Sequence, residues 1–176
     1  MIDSKKVDIL IDDIEYLKYE AQSLHQVIEF VPYSEKPLDG ASIIEMLLTI
    51  DSIQLKFINV IEQIPIKGIH TKVDEFDIYQ RVELSEEEVK NTQISVVSKD
   101  LETNREELLE KIPHSDPSFF EIEFDINNGK ASIFDLLSDM VNKERALLKE
   151  VADLVLTYQT DRQFQREIAS RKQQRS

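Results

Sequence analysis

Apolar residues recur in steps of three and four at Val7, Leu10, Ile14, Leu17, Ala21, Leu24, Ile28 and Val31. That spacing lays one stripe along a long helix. Pro32, Pro37 and Asp39-Gly40 end it and open a connection. A second stripe follows at Ile43, Leu47, Ile50, Phe57, Ile61 and Ile64. Ser42 and Glu45 before it have the S-x-x-E spacing of a capping box, in which hydroxyl and carboxylate each bond the other's backbone N–H. Pro65 is expected to stop this helix. In residues 65–84 the pattern is weaker, and VDEFDIYQRVEL reads equally well as a helical turn or as extended chain.

A third helix is expected from Ser85, with Glu88 completing another capping box, to about Ile112. Its stripe of Val89, Val96, Val97, Leu101, Leu108, Leu109 and Ile112 has polar gaps, which predicts a more exposed helix. Pro113 and Pro117 end it. The period then changes to two: Phe120, Ile122, Phe124 and Ile126 alternate with Glu121, Glu123 and Asp125. That pattern predicts a short strand or extended arm before a turn at Asn127-Asn128-Gly129. A fourth helix opens at Ser132, with Asp135 three residues on. It carries Ile133, Leu136, Leu137, Met140, Leu147, Val151, Leu154 and Tyr158.

Four striped helices bury their apolar faces most simply against one another, so the expected fold is an all-α four-helix bundle over residues 1–159. The long connections 65–84 and 113–131 would cross over the bundle or cap an end. Residues 160–176 form a basic tail or helix, with Arg162, Arg166, Arg171, Lys172 and Arg175 against Asp161 and Glu167.

Composition narrows the function. The formal net charge of −14 disfavours nucleic-acid binding, because an acidic surface repels phosphate backbones. The chain has no cysteine, which removes disulfides and thiolate chemistry. No apolar run approaches the ~20 residues of a membrane span, and the first residues lack a signal peptide's apolar core. A cytoplasmic protein away from membranes is the expectation.

Two stretches echo each other. DGASIIEMLLTID begins at Asp39 and NGKASIFDLLSDM at Asn128. Aligning Ala41 with Ala131 matches Ser42 with Ser132, Ile43 with Ile133 and Leu47 with Leu137, so helices two and four read either as equivalent parts of two hairpins or as two similar capped starts. The same alignment pairs Gln54 with Glu144. Each falls inside its helix's apolar stripe, with Lys143 beside Glu144. A buried carboxylate must be paired, protonated or metal-bound. Glu144 could therefore meet a lysine or Gln54, or emerge into a cavity.

With these capped starts after Gly-containing loops, and with its wide connections, the chain resembles the DinB-like superfamily of bacterial four-helix bundles over roughly residues 5–158. That resemblance implies a divalent-metal site of three histidines, a homodimer, and relatives that include thiol-dependent S-transferases and metal-dependent hydrolases. The ligand positions it implies fall here on Thr49, Lys143 and Leu147. Lys and Leu cannot ligate a metal, and Thr is a poor ligand alone. The three histidines, His25, His70 and His114, lie elsewhere. A carboxylate site from Asp51, Asp139 and Glu144 is conceivable, but the helical wheel puts Asp51 and Asp139 on opposite flanks of their stripes.

The expectation is thus a metal-free binding or interaction module, with no cofactor, no catalytic residue assigned, and a pocket lined by Thr49, Gln54, Lys143, Glu144 and Leu147. The alternative is an altered-metal or metal-independent transferase or hydrolase. In it Lys143 and Glu144 would be the polar groups, and Thr49 would position the ligand.

Overall fold

The computed structural model describes residues 2–67, 72–114 and 116–174, with side chains from 65 to 67 and from 171 onward left aside. Among the described residues the chain is mostly helical, with seven helices and one two-stranded sheet. The helices are α1 (Ser4–Ile28), α2 (Ile43–Lys67), α3 (Glu75–Ile78), α4 (Glu86–Asn91), α5 (Ile94–Lys111), α6 (Pro117–Phe120) and α7 (Ile133–Gln174). The strands β1 (Glu123–Ile126) and β2 (Gly129–Ser132) lie between α6 and α7.

The four long helices α1, α2, α5 and α7 pack around one core. α1 lies against α5 and α7, and α2 lies against the same two helices. α1 and α2 therefore occupy opposite corners, so the 29–42 connection crosses the end of the core. Exchanging α1 with α5 and α2 with α7 leaves this set of neighbours unchanged. The stripes meet where expected: Ile14, Leu17, Ile43, Ile50, Phe57, Leu108, Met140 and Val151 are each at most 2% exposed.

All three expected helix starts carry reciprocal caps. The Ser42 N–H donates to the Glu45 carboxylate at 2.8 Å and the Glu45 N–H to Ser42 Oγ at 3.3 Å. Ser85 with Glu88, and Ser132 with Asp135, repeat the arrangement. Each cap satisfies backbone donors that a helix start would leave open.

Three boundaries differ from the sequence reading. α2 runs two residues past Pro65, since a proline in the last turn removes a single N–H without stopping the helix at once. The expected third helix is two helices, broken where Thr92 and Gln93 are extended. Thr92 closes α4 by donating from both its N–H and its hydroxyl to the Glu88 carbonyl. No residue of α4 is fully buried and Val89 alone packs against the core, so little holds this segment in line with α5. The fourth helix continues without a break through the basic tail to Gln174.

Of the expected 120–126 arm, Phe120 ends α6 and Glu121 caps it, because Asp116 and Pro117 start a helical turn there. Only Glu123–Ile126 is extended, the first half of a hairpin that pairs Glu123 with Ser132 through Ile126 with Gly129. Its turn places Gly129 at φ 144°, a conformation that side-chain-bearing residues avoid. Phe124, 2% exposed, anchors the hairpin in the core. The undecided 73–84 stretch is both things in turn: the short α3, then extended chain.

Candidate functional site

Three polar side chains meet in the middle of the core. Gln54 of α2 is 3% exposed, Arg105 of α5 2% and Glu144 of α7 0%. Arg105 donates from Nη2 to Glu144 Oε2. With the Gln54 amide oriented to satisfy its neighbours, its oxygen accepts from the same Nη2 at 2.8 Å and its nitrogen donates to the Leu101 carbonyl at 3.2 Å. Burial disfavours the charged guanidinium and brings it down to about 9, while the Glu144 carboxylate in contact with it favours the charged form. The network is incomplete. Arg105 Nη1 and Glu144 Oε1 are buried without a partner in the protein. Leaving such groups unpaired costs about 1–3 kcal/mol each, more for charged ones.

These residues form the floor of a cleft of about 390 Å³ that opens between α1 and α5. Its walls are apolar, with Leu17 and Ile28 from α1, Leu47 and Ile50 from α2, Leu101 from α5 and Leu148 from α7. Its mouth is polar. Lys18 reaches across from α1 to Glu106, and Gln22 donates to Glu102 at 2.6 Å. Ser98 Oγ lies 2.9 Å from His25 Nδ1, whose other ring nitrogen is 3.5 Å from Glu29. A hydroxyl, an imidazole and a carboxylate in series resemble a nucleophilic triad. Ser98, however, lies inside α5, where the backbone N–H groups are committed to the helix and supply no oxyanion hole.

The residues singled out from the sequence divide between two sides of the core. Gln54 and Glu144 line the cleft. Thr49, 2% exposed, donates to the Glu45 carbonyl at 2.8 Å and accepts from the Val82 N–H at 3.0 Å. Lys143 is exposed, its ammonium 5.5 Å from the centre of the Tyr79 ring. Leu147 is a buried core residue. Thr49 and Lys143 thus face the 72–84 crossover, which lies over α2 and α7 opposite the cleft. Glu45 fixes that crossover too, accepting from the Leu84 N–H at 2.9 Å and from Lys36 at 3.1 Å. Arg81 adds a pair with Glu150 of α7 at 2.9 Å.

This side does not fit the divalent metal that the DinB-like resemblance implies. Thr49 Oγ1 is committed to backbone groups, Lys143 is cationic and Leu147 offers no donor. Asp51 accepts from Asn104 at 2.7 Å, and burial, reinforced by Asp100, raises its carboxyl. Glu144 is taken by Arg105. Among the described residues no three His, Asp or Glu side chains gather as metal ligands would. His114 contacts the Leu109 carbonyl, and His70 lies outside the described residues.

Arg105 is a functional candidate that stands outside the apolar stripe of the expected third helix. Asn104 and Arg105 fill the gap between Leu101 and Leu108, as Gln54 fills the gap between Ile50 and Phe57. The signal was a charged residue at a core position of the third helix. Burial also pushes the Tyr79 phenol well above its ordinary value, helped by Asp139 and Glu75, so this buried, unpartnered hydroxyl stays neutral.

The chain matches no family model and no curated protein sequence. Among the described residues no helix is long and apolar enough to cross a membrane.

Proposed function

We propose that the chain is a four-helix bundle of the DinB-like type that binds a small polar molecule without the superfamily's metal. The observation that carries this reading is the incomplete Arg105–Glu144–Gln54 network at the base of an apolar-walled cleft. A buried ion pair is weak evidence for stability, because its desolvation offsets its attraction. Convergent polar groups under a concave apolar wall are what a ligand site requires, and about 390 Å³ falls within the usual range for such sites. The superfamily's homodimer is proposed with the same reading. It predicts a solution mass of twice the 20.5 kDa chain.

Replacing Ser98 by Trp should fill the cleft from its mouth. In a thermal-shift screen of small polar metabolites, wild-type protein should give stabilising hits that S98W loses, while S98W unfolds within a few degrees of wild type. Hits that S98W retains would place binding elsewhere. Stoichiometric zinc or nickel kept through chelation would overturn the metal-free reading.

A further inference from the structure

The open cleft has a charge-balanced floor, and that balance selects among ligands. Arg105 contributes one positive charge and Glu144 one negative charge, and their contact consumes Nη2 and Oε2. What remains is one donor, Nη1, and one acceptor, Oε1, both closed to solvent behind the cleft lining, so a ligand that uses them displaces part of that lining. A carboxylate could accept from Nη1, but it would bring a negative charge beside Glu144 and give nothing to Oε1. A cationic group would donate to Oε1, facing Arg105 in turn. A neutral amide edge answers both, with its carbonyl accepting from Nη1 while its N–H donates to Oε1.

The rest of the cleft agrees with this choice. Leu17, Ile50, Leu101 and Leu148 offer an apolar enclosure for a compact body. The mouth carries Lys18 and Lys99 against Glu102 and Glu106, the partner of Lys18, so neither sign of charge dominates the approach.

We infer that the cleft takes a small, flat, neutral molecule bearing an amide or lactam edge, held by Arg105 and Glu144. The inference rests on the proposed binding function and adds the chemical class of its ligand. Primary amides and lactams share the required edge, and separate probes distinguish them.

The test uses the full chain with labelled leucine methyl groups, titrated with benzamide, 2-pyridone, benzoate and benzamidinium. Benzamide, 2-pyridone or both should shift the Leu101 and Leu148 methyls saturably, with benzoate and benzamidinium at least about tenfold weaker. In Arg105→Met/Glu144→Leu the amide preference should disappear. This pair of apolar replacements removes both charges together, and such exchanges are generally tolerated. Glu144→Gln, which leaves Arg105 without a countercharge, should turn the preference toward benzoate.

Three results would overturn the ligand class while leaving a binding cleft in place. Benzoate or benzamidinium could bind as tightly as benzamide, the double variant could keep the amide preference, or Glu144→Gln could leave the preference unmoved. If none of the four probes moves a cleft methyl at about 10 mM, a weak-binding ceiling for molecules this small, the binding function falls with it.

Discussion

Glu45 shows how much one side chain can organise. It is 1% exposed, yet both of its oxygens are occupied. Burial alone would raise its carboxyl. The Leu84 and Ser42 N–H groups, the Lys36 ammonium and the Ser42 hydroxyl outweigh that and hold it at about 2, below the ordinary 4.5. A depressed folded value means that the unfolded chain takes up the proton first. The stabilisation is therefore complete above about 4.5, shrinks as the pH falls, and is gone below about 2. Glu45→Gln should lower the unfolding free energy by on the order of 2 kcal/mol at neutral pH. Urea titrations should show that gap closing between pH 5 and pH 2.5. A gap independent of pH would contradict the assignment. The S-x-x-E spacing identified Glu45 as a cap, but its second role depends on Leu84 and Lys36, which only the folded chain brings near it. Gln54 and Glu144 were legible as polar residues inside apolar stripes. Arg105 escaped because the third helix has several polar gaps, and a single stripe cannot say which gap faces the core.

At the scale of elements, the strongest periodicities translated directly into α1, α2 and α7. The 85–112 segment did not, because the α4 portion has one apolar residue per turn at best and packing decided its fate. The hairpin was half visible: alternation marked β1, but β2 is the four-residue GKAS, which has no alternating apolar face of its own. The 72–84 crossover was ambiguous for a physical reason. It is held by long-range bonds: Val73 N–H to the Asp125 carbonyl, Val82 to Thr49 and Leu84 to Glu45. Local sequence carries none of that information. Thr49→Val keeps the shape but removes the acceptor for Val82, leaving a partly buried N–H unpaired. It should cost about 1–2 kcal/mol. Native-state hydrogen exchange should accelerate at Val82 and Leu84, with Leu108 and Val151 protected as before. Unchanged exchange at Val82 would show that the crossover is held by its other contacts.

For the molecule as a whole, the four helices create two unlike sides. The α2–α7 side, where the DinB-like resemblance implies metal ligands, is covered by the chain's own crossover. The α1–α5 side opens into a cleft whose lining includes a buried ion pair, with unmet polar groups closed off from solvent. Sequence alone could mark which residues reach the core, but not which pair of helices would part to form a cleft, because that depends on side-chain volumes summed over all four. The α1–α5 cleft is where this protein is proposed to meet a small molecule. Methyl-resolved NMR with a library of small neutral fragments tests it most directly. Saturable shifts should cluster at Leu17, Ile28, Leu47, Leu101 and Leu148, and be absent in S98W. Shifts confined to the residues around Tyr79 and Leu147, on the crossover side, would contradict it.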